Sequence, residues 1–292
     1  MSGSLTMSTR TLWTWAPLAL ILLAVVAAPA GANHIRTLAS ANYVLVDDFG
    51  SSAHVDGCGN RAALSGGFSN KFDRRRSQLF MFGFNPISSA VPFGPSWRAT
   101  VANRAPGPGT GGKQIVYAYC VKRPPRLHLV EKRVRIGPGA TASVTARCPR
   151  GTEAVSGGFS DAYAGTNGSL VFGFRSMRVG TRGWRASAVN MSETIGSELI
   201  AMATCSPAEP GLSERWETLE LRARGTRSTT LRCFPGTEAW SAGFESHVSA
   251  PSGHGAYPFR LRRTGSRGWK AAAFAVGPAT TFTAHVYCGP RS

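Results

Sequence analysis

The phrase CPRGTEAVSGGFSD, residues 148–161, returns 85 positions later as CFPGTEAWSAGFES, residues 233–246. A looser copy, CGNRAALSGGFSN, occupies residues 58–70. Similarity at a fixed period means that one supersecondary unit is used repeatedly, and this restricts the fold more than any other feature of the chain. Other markers keep the period. Trp97, Trp184 and Trp269 are spaced by 87 and 85, and the cysteines fall as Cys58/Cys120, Cys148/Cys205 and Cys233/Cys288. VKRPPR (121–126) and SPAEPGLS (206–213) carry the prolines of connectors. The expected division is an N-terminal segment, 1–32, followed by repeats at 33–122 (divergent), 127–206 and 214–292.

Inside each repeat the apolar period is two. Phe80, Phe82 and Phe84 alternate with other residues, as do Leu170, Phe172 and Phe174, and Tyr257, Phe259 and Leu261. Trp97-x-Ala99-x-Val101, Trp184-x-Ala186-x-Ala188 and Trp269-x-Ala271-x-Ala273 follow, and each repeat closes on a similar run into its second cysteine. Alternation of this kind marks strands with one apolar face, and no stripe of helical period appears after residue 32. The expectation is an all-β chain of three tandem small β-sandwich-like repeats, each about 80–90 residues with about six strands. The GGF-type triplets are read as turns whose glycines meet neighbouring backbone or a bulge. The three tryptophans alternate with Arg98, Arg185 and Lys270, which puts the rings in the core rather than on the surface as sugar platforms.

The N-terminal segment reads as a signal peptide. Its unbroken apolar core, Leu18 to Ala28, is shorter than the roughly 20 residues of a membrane span, and small residues surround Ala30. Uncleaved, it would be the only contact with a membrane. Six cysteines at repeating places, none in a C-x-x-C pair, suit disulfides in an oxidising compartment. The repeat reduces the possible connectivities to two. Either each repeat closes itself (Cys58–Cys120, Cys148–Cys205, Cys233–Cys288), which suits independent modules, or the bonds cross the connectors in a closed threefold ring. The first is the expectation.

The run CPRGTEAVSGGF, a GW strand, Asn190 and a terminal cysteine together resemble a repeat of secreted actinobacterial proteins. The likeness is best over 148–205, good over 233–288 and poor before Cys58. It implies self-contained folding with an internal disulfide, and it brings no site residues with it.

Catalytic chemistry has little to stand on. The six histidines share no repeat position, and His54 near Asp47, Asp48 and Asp56 lacks a nucleophile context, so His54 reads as a loop residue. Glu153 and Glu238 recur without a second acid and read as turn or strand-edge groups. No cofactor, metal or small-molecule substrate is implied. What stands out is charge: the net charge is +18, with 28 Arg against five Lys. RSMRVGTRGWR carries Arg175, Arg178, Arg182 and Arg185, and RLRRTGSRGWK carries Arg260, Arg262, Arg263, Arg267 and Lys270, neither with an acid. Arg74, Arg75 and Arg76 form a third cluster. The expectation is a secreted or cell-envelope, non-enzymatic protein whose basic hairpins bind anionic cell-wall polymer, acidic glycan or extracellular DNA. An envelope hydrolase with its site in the first repeat, or a matrix protein without a ligand, are the alternatives.

Overall fold

The computed structural model describes residues 35–44, 51–55, 58, 61–70, 79–87, 96–103, 112–121, 126–162, 170–207 and 210–291. The signal segment, Asp47, Asp48, Asp56 and Arg74 to Arg76 lie outside them. Repeat 1 contains β1 (Arg36–Val44), β2 (Ser51–Val55), β3 (Ala62–Asn70), β4 (Leu79–Ile87), β5 (Ser96–Asn103) and β6 (Gly112–Val121). Repeat 2 contains β7 (His128–Ile136), β8 (Thr141–Arg147), β9 (Glu153–Asp161), β10 (Val171–Val179), β11 (Gly183–Asn190) and β12 (Ser197–Ser206). Repeat 3 contains β13 (Ser213–Leu221), β14 (Thr226–Arg232), β15 (Thr237–Ser246), the two-residue β16 (Val248–Ser249), β17 (His254–Thr264), β18 (Gly268–Val276) and β19 (Thr280–Pro290). The described chain is all-β, as its alternation predicts. His54 lies on β2, paired with Arg98 of β5, and not in a loop.

With the two-residue β16 left out, so that β17, β18 and β19 count as the fourth, fifth and sixth strands of repeat 3, the first, third and sixth strands of every repeat form one half-sheet, and the second, fourth and fifth form another. The two halves face each other across the buried Trp97, Trp184 or Trp269, which is the sandwich-like unit the sequence predicts. Neither half ends at the repeat boundary, however. The first sheet runs β1-β6-β3-β17-β18-β14, the second β13-β19-β15-β10-β11-β8, and the third β2-β5-β4-β9-β12-β7. Each sheet is therefore half one repeat and half another, and the three repeats close on themselves in a ring. This corrects the expectation of self-contained modules. The disulfides nevertheless lie within repeats, Cys58–Cys120, Cys148–Cys205 and Cys233–Cys288, with Cα atoms 5.6, 5.6 and 5.7 Å apart. The expected pairing and the closed architecture coexist because each bond ties strand six to the segment after strand two, inside one sandwich.

The repeated phrase sits where repeats meet. Its triplet is not a turn: Gly67, Gly158 and Gly243 occupy the interior of β3, β9 and β15. There each strand crosses the neighbouring repeat, with Phe68 opposite Leu261, Phe159 opposite Phe84, and Phe244 opposite Ser176. A Cβ on Gly67 would stand 2.7 Å from Leu261 O, on Gly158 1.9 Å from Phe84 O, and on Gly243 2.7 Å from Ser176 O. Only glycine lets the two backbones approach this closely. The preceding glycines, Gly66 and Gly157, lie under the rings of Trp97 and Trp184.

The serine of the phrase closes the ring. Ladder register skips one residue at Leu64, Val155 and Trp240, a β-bulge that frees each carbonyl from its own sheet. Ser156 Oγ donates to Leu64 O (2.6 Å), Ser241 Oγ to Val155 O (2.6 Å) and Ser65 Oγ to Trp240 O (2.5 Å). Repeat 2 thus binds repeat 1, 3 binds 2, and 1 binds 3.

Bulges also split the alternating series of the fourth strands. Phe82, Phe174 and Phe259 are the extra residues in β4, β10 and β17. Cross-strand partners make Phe80, Phe172 and Tyr257 equivalent, one step away from a simple alignment of the sequence series. These side chains meet in an aromatic cluster fed by all three repeats. The Phe80 ring centroid lies 5.1, 5.0 and 5.2 Å from those of Phe172, Tyr257 and Phe274. Phe84 and Leu261, beyond the bulge, belong instead to the sandwich core.

Candidate anion-binding face

The structure divides the basic residues into locks and free charges. Arg178 is 8 % exposed and forms an ion pair with Glu153, and Arg263 pairs with Glu238 in the same way. Arg178 also donates to Leu212 O (3.2 Å) and Arg263 to Ala239 O (3.0 Å) and Ser266 O (2.8 Å). Arg182 Nε and Nη2 hold Cys148 O at 3.1 and 3.0 Å, and Arg267 holds Cys233 O at 3.1 and 2.7 Å. These four arginines brace the hairpin against the start of strand three, and the expected surface position is corrected for Arg178 and Arg263, whose side chains are buried, while Arg182 is half-buried and Arg267 exposed. Glu153 and Glu238 are likewise buried ion-pair partners and not turn groups. Their signal in the sequence is the recurrence of Glu and Arg 25 positions apart in both repeats.

Two junctions carry a further lock. Arg178 N–H donates to Tyr287 Oη of repeat 3, and Arg263 N–H to Tyr119 Oη of repeat 1, both at 2.8 Å. The third junction has lost the set together. Pro86 stands opposite Trp97 as Arg178 stands opposite Trp184, Ala62 replaces the glutamate, and Thr204 replaces the tyrosine. Proline has no N–H to donate, and Thr204 Oγ1 is buried without a partner.

Burial pushes the Tyr119, Tyr257 and Tyr287 phenols well above their usual range, because a phenolate would lose its hydration. Unfolded tyrosine ionises near pH 10. Below that pH these groups cost nothing. Above it the unfolded chain releases protons that the native protein retains, and stability falls by about 1.4 kcal/mol per pH unit for each tyrosine. Titration of absorbance near 295 nm is expected to show these three phenols ionising only as the fold is lost. Early ionisation of all three would refute their locked state.

The remaining cations differ between sheets. On the second sheet Arg175 Nε meets Glu245 Oε2 at 3.1 Å and Arg185 Nε meets Thr145 Oγ1 at 3.4 Å. On the first, Ser69 occupies the place of Glu245, and Arg260 Nε reaches its hydroxyl at 3.2 Å. Arg262 lies directly opposite Lys270, and its Nε is buried without a hydrogen-bond partner. Arg260, Arg262 and Lys270 form no ion pair with a described carboxylate. All three are half-buried, so part of each side chain stays at the surface. The basic residues of the two hairpins therefore do not form two equal patches. The half of the first sheet contributed by repeat 3 keeps three strand cations without a described carboxylate partner, where the second sheet keeps only Arg185.

Nothing in the described residues gathers a metal site, and no helix among them is long and apolar enough to cross a membrane. Asn190, part of the repeat signature, is buried and clamps a loop, with Nδ2 donating to Gly137 O (3.1 Å) and Ile195 O (2.7 Å). Three disulfides with no free cysteine suit an oxidising, extracytoplasmic setting. No family model matches the chain, and no curated protein matches it.

Proposed function

We propose that this is a secreted or envelope protein, without catalytic activity, that holds anionic polymers on the face formed by Arg260, Arg262 and Lys270. The observation that carries this reading is the Arg262–Lys270 pair. Like charges directly opposite on neighbouring strands repel, and no described acid offsets them, whereas on the second sheet Arg185 stands opposite the uncharged Met177, and Arg175, the counterpart of Arg260, has Glu245. An anionic polymer of cell-wall, acidic-glycan or nucleic-acid type would reverse that repulsion. Arg also grips phosphate or carboxylate through two parallel hydrogen bonds.

Reversing Arg260, Arg262 and Lys270 to Glu is expected to lower the salt concentration that releases the protein from heparin and from duplex DNA. On DNA the salt dependence should shallow by about three charges. Reversing Arg175 and Arg185 should matter less, since Glu245 already neutralises one of them. Equal effects from the two sets, or release at unchanged salt, would overturn the assignment to the first sheet.

A further inference from the structure

The second sheet carries a feature that the other two lack. Taken across its six strands at one level, the residues are Ser143, Ser187, Arg175, Glu245, Thr283 and Thr218. Every one carries a hydrogen-bonding side chain, and neighbours are joined in pairs. Ser143 and Ser187 hydroxyls are 2.7 Å apart, Arg175 and Glu245 3.1 Å, and Thr283 and Thr218 hydroxyls 2.9 Å. The same level of the first sheet is interrupted by Ala272, Ile115 and Ala41. On the third sheet it is interrupted by Gly83 and Ile200. Uninterrupted polarity is therefore particular to one face and not a product of the repeat.

The row has shape as well as chemistry. A groove of about 410 Å³ is lined by Ser143, Arg175, Glu245, His247, Thr281 and Thr283 among others. Ser187 is buried beneath it, so the groups that face it are those of Ser143, Arg175, Glu245 and Thr283. One level along β13 from Thr218 stands Trp216, 65 % exposed, where the other sheets have Ala39 and Glu131. Trp216 lies opposite His285, whose Nδ1 is 2.6 Å from Glu214 Oε1. An indole this exposed next to a polar row presents an apolar ring face beside hydrogen-bonding groups.

We propose that this face is a binding site for a neutral oligosaccharide lying across the strands. Three considerations select that class. The only formal charges in the row, Arg175 and Glu245, cancel, so the groove does not attract a charged ligand as the first sheet does. Hydroxyl, carboxylate and guanidinium groups in fixed pairs offer donors and acceptors together, which is what sugar hydroxyls require. Strands lie about 4.8 Å apart, close to the length of one pyranose unit in an extended glycan, so successive sugars meet successive strands. Trp216 supplies the flat apolar surface on which a sugar ring stacks. This site is independent of the anionic-polymer reading, and one can fail without the other.

The test is calorimetric titration of the whole protein with cellohexaose and with chitohexaose in 0.5 M NaCl, where contacts to the basic face are screened. Saturable binding to at least one is expected, with an affinity little changed by salt. Trp216→Ala is expected to weaken it at least tenfold, as is the double change Arg175→Ala with Glu245→Ala. Thr37→Ala on the first sheet and the triple charge reversal at Arg260, Arg262 and Lys270 should leave it unchanged. Trp216 is exposed, so its replacement should leave the melting temperature in place. Absence of binding to both glycans, or binding that survives Trp216→Ala and the double change, would overturn the proposal.

Discussion

Residues 127–206, expressed alone with Cys148–Cys205 oxidised, are expected not to fold as a monomer. The excised repeat keeps both half-sheets but loses the strand next to each. β9 no longer has β4, and β10 no longer has β15. Phe172 and Phe174 lose the aromatic cluster they share with Phe80 and Tyr257. Ser156 loses Leu64 O, and Val155 O loses Ser241. A disulfide closing a loop of this length contributes about 4 kcal/mol in the chain-entropy view, and a core of this size is marginal without neighbours. Because every junction joins the same two edges, three copies can complete one another. Sedimentation with far-UV circular dichroism should therefore find an unfolded monomer or a folded trimer. A folded monomer would show that the shared sheets are dispensable.

Arg178→Ala is expected to destabilise the protein by about 3–5 kcal/mol, the usual result of leaving one member of a buried ion pair without its partner. Glu153 also accepts from the N–H groups of Gly211 (3.0 Å) and Leu212 (3.3 Å), so the stranded carboxylate would strain the connector into repeat 3 as well. Glu153→Ala alone should cost a similar amount. The double change Glu153→Ala with Arg178→Ala should cost clearly less than the sum of the singles, because repeat 1 folds with Ala62 and Pro86 in those places. Urea midpoints for the three variants measure the coupling. Additive losses would mean that the two groups are stabilised separately, and the Arg178–Glu153 lock would be refuted.

The same pair shows how far the sequence could be read. Arg178 and Arg185 are both arginines of one basic hairpin, seven positions apart in an uninterrupted strand–turn–strand phrase. Nothing in their immediate neighbours distinguishes the buried lock from the half-exposed cation. The distinction comes from Glu153 on another strand, and a pairing between separated strands leaves only an indirect trace, the matched Glu–Arg spacing of repeats 2 and 3. Likewise Trp216 sits in SERWETLEL, where alternation alone places it on the face opposite to Leu219 and Leu221. That its neighbours across the sheet are hydroxyls and an ion pair depends on strand order.

The sequence by itself determined the threefold repeat, the β class and the buried tryptophans, since each follows from local periodicity or from marker spacing, and it narrowed the cysteine pairing to two possibilities. Only the tertiary structure decided that the repeats interlock. Closed sheets and self-contained sandwiches require the same alternation of apolar and polar residues, because a strand buries the same face whether its neighbour comes from its own repeat or the next. The single local mark of the difference is the glycine of SGGF and SAGF. Its missing Cβ makes room for a foreign strand, and the strand that fills that room is specified a repeat away along the chain.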